Sequence, residues 1–176
     1  SKMAFIFDSF AESWTQIEDM ARGRWYPTNI TLGDGRVLTM SGINDTNGAL
    51  NADIEAWDPT GNTNWNLLGQ RTMPDYPYLH LLPDGLVFRS GPDSHTETFN
   101  PATGQWAFVD GTNFPARYEA PSVLLPRTLD RIMLIGGYDE NTGGQPTSSA
   151  EIIDFSETNP TWTATNSMAF GRRDHN

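Results

Sequence analysis

Few residues in this chain are of a type that does chemistry. The 176 residues contain three histidines and no cysteine. Disulfides, zinc–thiolate sites and cysteine nucleophiles are therefore excluded within it. No Gly-rich phosphate loop, Gly-x-Ser-x-Gly elbow or His-Glu-x-x-His helix occurs. The acidic residues are scattered among turns rather than paired, so no glycosidase dyad is written here. What remains is Tyr26 in Arg24-Trp25-Tyr26-Pro27, the arginines Arg22, Arg24 and Arg117, and His80, His95 and the pair Asp174-His175. On chemistry alone Tyr26 reads as a packed aromatic at a strand entrance. The arginines offer two readings, orientation of a substrate or hydrogen-bonded ties between neighbouring repeats, and the second is the commoner use. His80 alternates within Tyr78-Leu79-His80-Leu81-Leu82 and reads as a structural strand residue, and His95 as a surface strand position. Asp174 and His175 are adjacent, so on a strand they point to opposite faces and do not form a bidentate site.

The elements that must carry these residues follow from a repeat. Arg24-Trp25-Tyr26-Pro27 leads into Thr28-Asn29-Ile30-Thr31-Leu32, the turn Gly33-Asp34-Gly35, and Arg36-Val37-Leu38-Thr39-Met40, ending at Ser41-Gly42. Tyr76-Pro77 leads in the same way through Pro83-Asp84-Gly85 to Ser90-Gly91, and Arg117-Tyr118 through a longer turn, Pro126 to Asp130, to Gly136-Gly137. Each copy closes with an aromatic, a polar turn and a tryptophan: Phe7 to Trp14, Trp57 to Trp65, Phe99 to Trp106 and Phe155 to Trp162. Asp58-Pro59-Thr60-Gly61 and Asn100-Pro101-Ala102-Thr103-Gly104 have the composition of tight turns between antiparallel strands. Four strands in a period of about fifty residues is what a kelch-type propeller blade requires. Sixteen Gly, twelve Pro and 11% aromatics, with no amphipathic helical stretch, fit many short strands joined by turns.

The reading is therefore an all-β chain of the kelch-type β-propeller class, with about three and a half four-stranded blades. Residues 1–18 are expected to form the second half of a preceding blade. Residues 19–70, 71–111 and 112–166 are expected to be complete blades, and 167–176 the start of the next. Since both ends fall inside a repeat, the sequence reads as an internal piece of a longer protein. The net charge of −11 disfavours nucleic acid, whose phosphates need a basic surface. No run approaches the ~18 apolar residues of a membrane-spanning helix.

The succession of Arg24-Trp25-Tyr26-Pro27 with its Asp-Gly turn, Tyr76-Pro77 with Leu81-Leu82-Pro83-Asp84-Gly85, Arg117-Tyr118 with Leu124-Leu125-Pro126, and Arg172-Arg173-Asp174-His175-Asn176 resembles the central blades of the galactose oxidase and glyoxal oxidase family. The resemblance covers essentially the whole chain. It implies a seven-bladed propeller holding one copper ion beside a tyrosine cross-linked to a cysteine thioether and stored as a radical. It also implies a secreted oxidase of small alcohols, aldehydes or carbohydrates that reduces dioxygen to hydrogen peroxide. By its place in the motif, Tyr26 matches the cross-linked copper-ligand tyrosine and is catalytic residue, cofactor-binding residue and metal ligand at once. The partner cysteine and the other ligands of the family fall outside this chain, so the piece alone is expected to be inactive. The alternative is a non-catalytic kelch propeller that binds carbohydrate or protein through its loops.

Overall fold

The computed structural model describes residues 1–60, 64–127 and 129–175. Gly61 of the expected turn after Asp58, Thr128 of the insertion between Pro126 and Asp130, and Asn176 lie outside the described residues. The described chain is all-β, with fourteen strands and one short 3-10 turn. It divides into two compact units, Ser1–Pro77 and Tyr78–Asn176.

The first unit holds a two-stranded sheet, β1 (Ala4–Asp8) with β2 (Ser13–Ile17), and a four-stranded sheet of β3 (Thr28–Thr31), β4 (Val37–Met40), β5 (Asp53–Trp57) and β6 (Trp65–Gln70). The second unit holds two four-stranded sheets. One is β7 (Leu79–Leu81), β8 (Val87–Arg89), β9 (Asp93–Asn100) and β10 (Gln105–Ala116). The other is β11 (Ser122–Leu124), β12 (Arg131–Ile135), β13 (Ala150–Asp154) and β14 (Thr163–Ala164). Among the described strands every pairing is antiparallel between consecutive strands, a four-stranded meander in each of the three larger sheets.

The turns show why these residues fold this way. In Gly33-Asp34-Gly35-Arg36 the amide of Leu32 donates to Arg36 O at 2.8 Å, and Gly35 N donates to Leu32 O at 3.0 Å with Gly35 at φ 88°. Pro83-Asp84-Gly85-Leu86 repeats the geometry, Leu82 N to Leu86 O at 2.9 Å with Gly85 at φ 86°. The aspartate accepts from the amide two residues on in both turns, at 3.1 Å in Asp34 and 3.0 Å in Asp84. That backbone hydrogen bond from Arg36 is the main reason the Asp34 carboxyl titrates below its ordinary value.

Three of the closing aromatic pairs are cross-strand partners: Phe7 opposite Trp14, Trp57 opposite Trp65, and Phe99 opposite Trp106. The fourth differs. Phe155 lies beyond β13 and Trp162 before β14, and each instead packs on Phe88, at 4.7 and 6.2 Å between ring centroids. The cause is local. Here Asp154 caps the turn through Ser156 N and Oγ and stands directly before the aromatic, whereas the capping Asp8, Asp58 and Asn100 stand directly after theirs. Around these rings Leu82, Phe88, Ile132, Leu134, Ile153 and Trp162 form one buried cluster.

His80 is in β7 and joins the two sheets of the second unit. Its Nε2 lies 2.6 Å from Ser122 Oγ, which lies 2.8 Å from Ser90 Oγ. Burial pushes its pKa down to about 4 from an ordinary 6.5. The imidazole is therefore neutral in the fold, whereas the unfolded chain binds the proton more readily between pH 6.5 and 4. Stability then falls as pH drops through that window and levels off below it, a loss of about 3 kcal/mol from this group at 1.36 kcal/mol per pH unit. Urea unfolding of His80→Gln at pH 7 and pH 4.5 is expected to show a smaller pH dependence than the parent chain. Equal pH dependence in the two proteins would remove His80 as the cause.

Candidate functional site

Tyr26 sits two residues before β3, not within it, in a left-handed conformation at φ 64°. That is an uncommon state for a non-glycine residue, and surrounding structure has to hold it. Three devices do so. Arg24, with its side chain wholly buried, donates to Ser41 O at 2.7 Å, Asp53 O at 2.8 Å and Glu55 Oε2 at 2.7 Å. Trp25 forms a two-bond bridge with Ile43, N to O at 2.9 Å one way and 2.6 Å the other. Gly42, at φ 89°, packs so tightly that a Cβ there would lie 2.9 Å from Trp25 O and 3.0 Å from Pro27 N, the backbone on both sides of Tyr26.

The ring of Tyr26 is partly exposed, at 42%. It stacks on Tyr76 with centroids 4.5 Å apart and planes at 27°, and Trp25 flanks it at 5.0 Å. Tyr76 is itself left-handed at φ 50°, and its amide donates to Tyr26 O at 3.1 Å. Ser41 Oγ donates towards Met73 O and Pro74 O, at 3.1 and 2.8 Å, which fixes the segment leading to Tyr76. Desolvation in the stack, then the charges of Tyr26 and Asp75, raise the Tyr76 phenol above its ordinary pKa.

The second unit repeats this arrangement with different chemistry. Arg117 donates from Nε to Glu151 at 2.8 Å, from Nη1 to Gly136 O at 2.7 Å, and from Nη2 to Ser149 Oγ at 3.0 Å. Tyr118 bridges Tyr138 as Trp25 bridges Ile43. Glu119, at φ 55°, takes the place of Tyr26, and its carbonyl accepts from the amide of Asp174, at φ 49°, at 3.0 Å. The lead-in residues Tyr26, Tyr76, Glu119 and Asp174 are thus four left-handed positions bearing two phenols and two carboxyls. A sequence signal for them was present: each lies two residues after Arg24, Pro74, Arg117 or Arg172. Nothing in the residue types announces the positive φ.

The arginines correct one expectation. Arg24 and Arg117 bind groups of the four-stranded sheet that each precedes, so they stitch a sheet to its own lead-in rather than to a neighbour. Where the lead-in position is Pro74, the buried Glu97 of β9 is met by Arg89 of β8 instead, at 3.0 Å. Arg22 reaches Asp53 at 3.6 Å with its side chain more than half exposed. His95 is in β9, half-exposed, with Nε2 3.3 Å from Glu97 Oε2 and its ring 4.9 Å from that of Phe108. His175 has neither ring nitrogen hydrogen-bonded among the described residues, and its ring lies over Gly136.

A metal held at Tyr26 would find a phenolic donor there, with the phenol of Tyr76 stacked beside it. Among the described residues no three of His, Cys, Asp and Glu gather into a metal site. The partly exposed phenol, rigidly presented, fits one ligand of a shared metal, and the remaining donors are not in this cluster.

Galactose oxidase of Gibberella zeae aligns over 197 residues at 25% identity, covering 99% of this chain and 29% of the relative. The chain is similar to galactose oxidase throughout its length. The chain thus spans less than a third of the galactose oxidase that it matches. A WSC domain-containing protein of Arthroderma benhamiae is 36% identical over 79 residues, 42% of this chain and 8% of that protein. Among solved structures, a fungal alcohol oxidase of the AA5 family in complex with copper superposes with a TM-score of 0.79 at 19% identity, over 98% of this chain and 39% of its own. A structure of YjhT superposes with a TM-score of 0.75 at 16% identity, over 98% and 61%. These two likenesses are of fold. No family model matches the chain. Among the described residues no helix is long and apolar enough to cross a membrane.

Proposed function

We propose that this chain supplies Tyr26 as the copper-ligand and radical tyrosine of a secreted copper radical oxidase, acting on primary alcohols, aldehydes or carbohydrates. Each four-stranded sheet is then a kelch-type blade, spanning 19–70, 71–111 and 112–166, with 1–18 and 167–176 as parts of the flanking blades in a seven-bladed ring. The observation that carries the reading is the way Tyr26 is held: a partly exposed phenol, left-handed, clamped by Arg24, Trp25 and Gly42, in a chain that is similar to galactose oxidase over 99% of its length.

The reaction moves two electrons and two protons. A primary alcohol gives them up and becomes the aldehyde, and dioxygen takes them and leaves as hydrogen peroxide. Copper, when bound, supplies a one-electron acceptor and an open coordination position. Tyr26 supplies the second electron vacancy as its phenoxyl radical. A thioether to a cysteine outside this chain, together with the stack on Tyr76, spreads that vacancy over more atoms and so favours the oxidised state. The clamp keeps the phenol oxygen in one place, which lowers the reorganisation needed at each turnover.

In the full-length copper-loaded protein, Tyr26→Phe is expected to reduce peroxide production to background and to remove the radical's visible absorption. Far-UV circular dichroism should stay that of the parent, because the phenyl ring keeps the stack. Unchanged peroxide production would overturn the assignment. A second reading has one observation in its favour: Trp25, Tyr26 and Tyr76 expose 61, 42 and 49% of their surface side by side, a platform on which a sugar ring could stack in a non-catalytic kelch propeller. That platform would bind sugar equally well without copper.

A further inference from the structure

The stack that flanks Tyr26 has a chemistry that needs no metal. We propose that Tyr26 and Tyr76 are a redox-coupled pair and the site of an oxidative cross-link, in which a soluble one-electron oxidant joins the two phenols by a carbon–carbon bond between their rings.

Three observations select this pair. The rings are 4.5 Å apart and close to parallel, so carbons of one face carbons of the other. Their backbones are fixed together by the hydrogen bond from Tyr76 N to Tyr26 O and by Ser41 Oγ on the segment before Tyr76, so the encounter is already made when a radical forms. Both rings are partly exposed, so an oxidant reaches them.

The other tyrosines are less suited. Tyr118 and Tyr138 are 5.9 Å apart with planes at 48°. The guanidinium of Arg173 lies over Tyr138, 4.9 Å from the ring centre, and opposes loss of an electron there. Next to Tyr76 the nearby charge is the carboxylate of Asp75, which favours such a loss. Tyr78 is largely buried, with its hydroxyl donating to Arg117 O and accepting from Ala120 N.

The step balances. Each phenol loses one electron and one proton, and the two phenoxyl radicals couple at carbons ortho to the oxygens. The rings then regain aromaticity by moving the two ring hydrogens onto the oxygens. The product is a biphenol lacking two hydrogens relative to the pair, and two equivalents of oxidant are reduced.

The inference does not rest on the copper reading, and its test is run on the 176-residue chain with chelator present. Hexachloroiridate(IV) is added at two equivalents, and the products are mapped by mass spectrometry of proteolytic peptides together with dityrosine fluorescence. The expected result is one intramolecular product joining the peptides of Tyr26 and Tyr76. Tyr138→Phe should leave its yield unchanged, and Tyr76→Phe should abolish it without altering the far-UV circular dichroism. A cross-link mapped to Tyr118 and Tyr138, coupling only between separate chains, or no dityrosine at all would each overturn the proposal. None of these outcomes bears on whether Tyr26 binds copper.

Discussion

Arg117→Leu is expected to destabilise the second unit by about 3–5 kcal/mol, the usual consequence of leaving one member of a buried ion pair alone. Arg117 and Glu151 are 2% and 1% exposed and meet at 2.8 Å. The guanidinium also donates to the buried Gly136 O at 2.7 Å and to Ser149 O at 3.2 Å, and the first of these would lose its side-chain donor. Glu151 keeps two bonds from Asn113, to its backbone amide at 2.8 Å and its side-chain amide at 3.0 Å, but no cation. The double variant Arg117→Leu with Glu151→Leu should recover part of the loss, because no buried charge then remains. Urea midpoints of the two single variants and the double variant give the coupling directly. A loss under about 1 kcal/mol for Arg117→Leu would show that the pair is not the buried tie described here.

Gly42→Ala is expected to cost about 3 kcal/mol and to move Tyr26. Two penalties combine: a side chain at φ 89°, and a Cβ placed 2.9 Å from Trp25 O and 3.0 Å from Pro27 N, neither of which is a flexible side-chain end. Gly35 provides the control, since it has nearly the same φ, 88°, and open space where its Cβ would go. Gly35→Ala should therefore show the conformational strain alone, about 1 kcal/mol. For a chain of this size the difference should read as several degrees in melting temperature, at about 2–4 °C per kcal/mol. Near-UV circular dichroism should also change in Gly42→Ala, as the Trp25, Tyr26 and Tyr76 rings shift, and stay constant in Gly35→Ala. Equal melting temperatures for the two variants would mean that Gly42 does not hold the backbone around Tyr26.

The sequence made the strands and their turns readable because the governing physics is local. Asp34-Gly35 and Asp84-Gly85 announce their turns through the side-chain cap and the positive φ that glycine allows. Phe7 with Trp14 and Phe99 with Trp106 announce cross-strand pairs, and their rings do meet at 5.0 and 4.9 Å. Phe155 and Trp162 share the sequence pattern without being cross-strand partners, because the capping Asp154 precedes its aromatic instead of following it.

The site was less readable, and the reasons are tertiary. The left-handed states of Tyr26 and Glu119 are held by bridges and by buried arginines two residues before them, whose partners Glu55 and Glu151 lie in strands far away in sequence, so a Tyr or Glu shows no trace of them. Arg89 of β8 supplies the arginine partner of Glu97 in a repeat whose lead-in has Pro74, visible only when Glu97 is seen to be buried. The stack of Tyr26 on Tyr76 joins residues fifty apart, at equivalent places in successive repeats. The repeat made that equivalence legible, and only the fold shows that the two rings touch.

Whether Tyr26 ligates copper is read from a copper-edge anomalous difference map of crystals of the full-length protein grown with copper. The result expected is a single strong peak bonded to the phenol oxygen of Tyr26 and absent in Tyr26→Phe. A copper peak elsewhere, with Tyr26 unbound, or no peak at full copper loading, would contradict it.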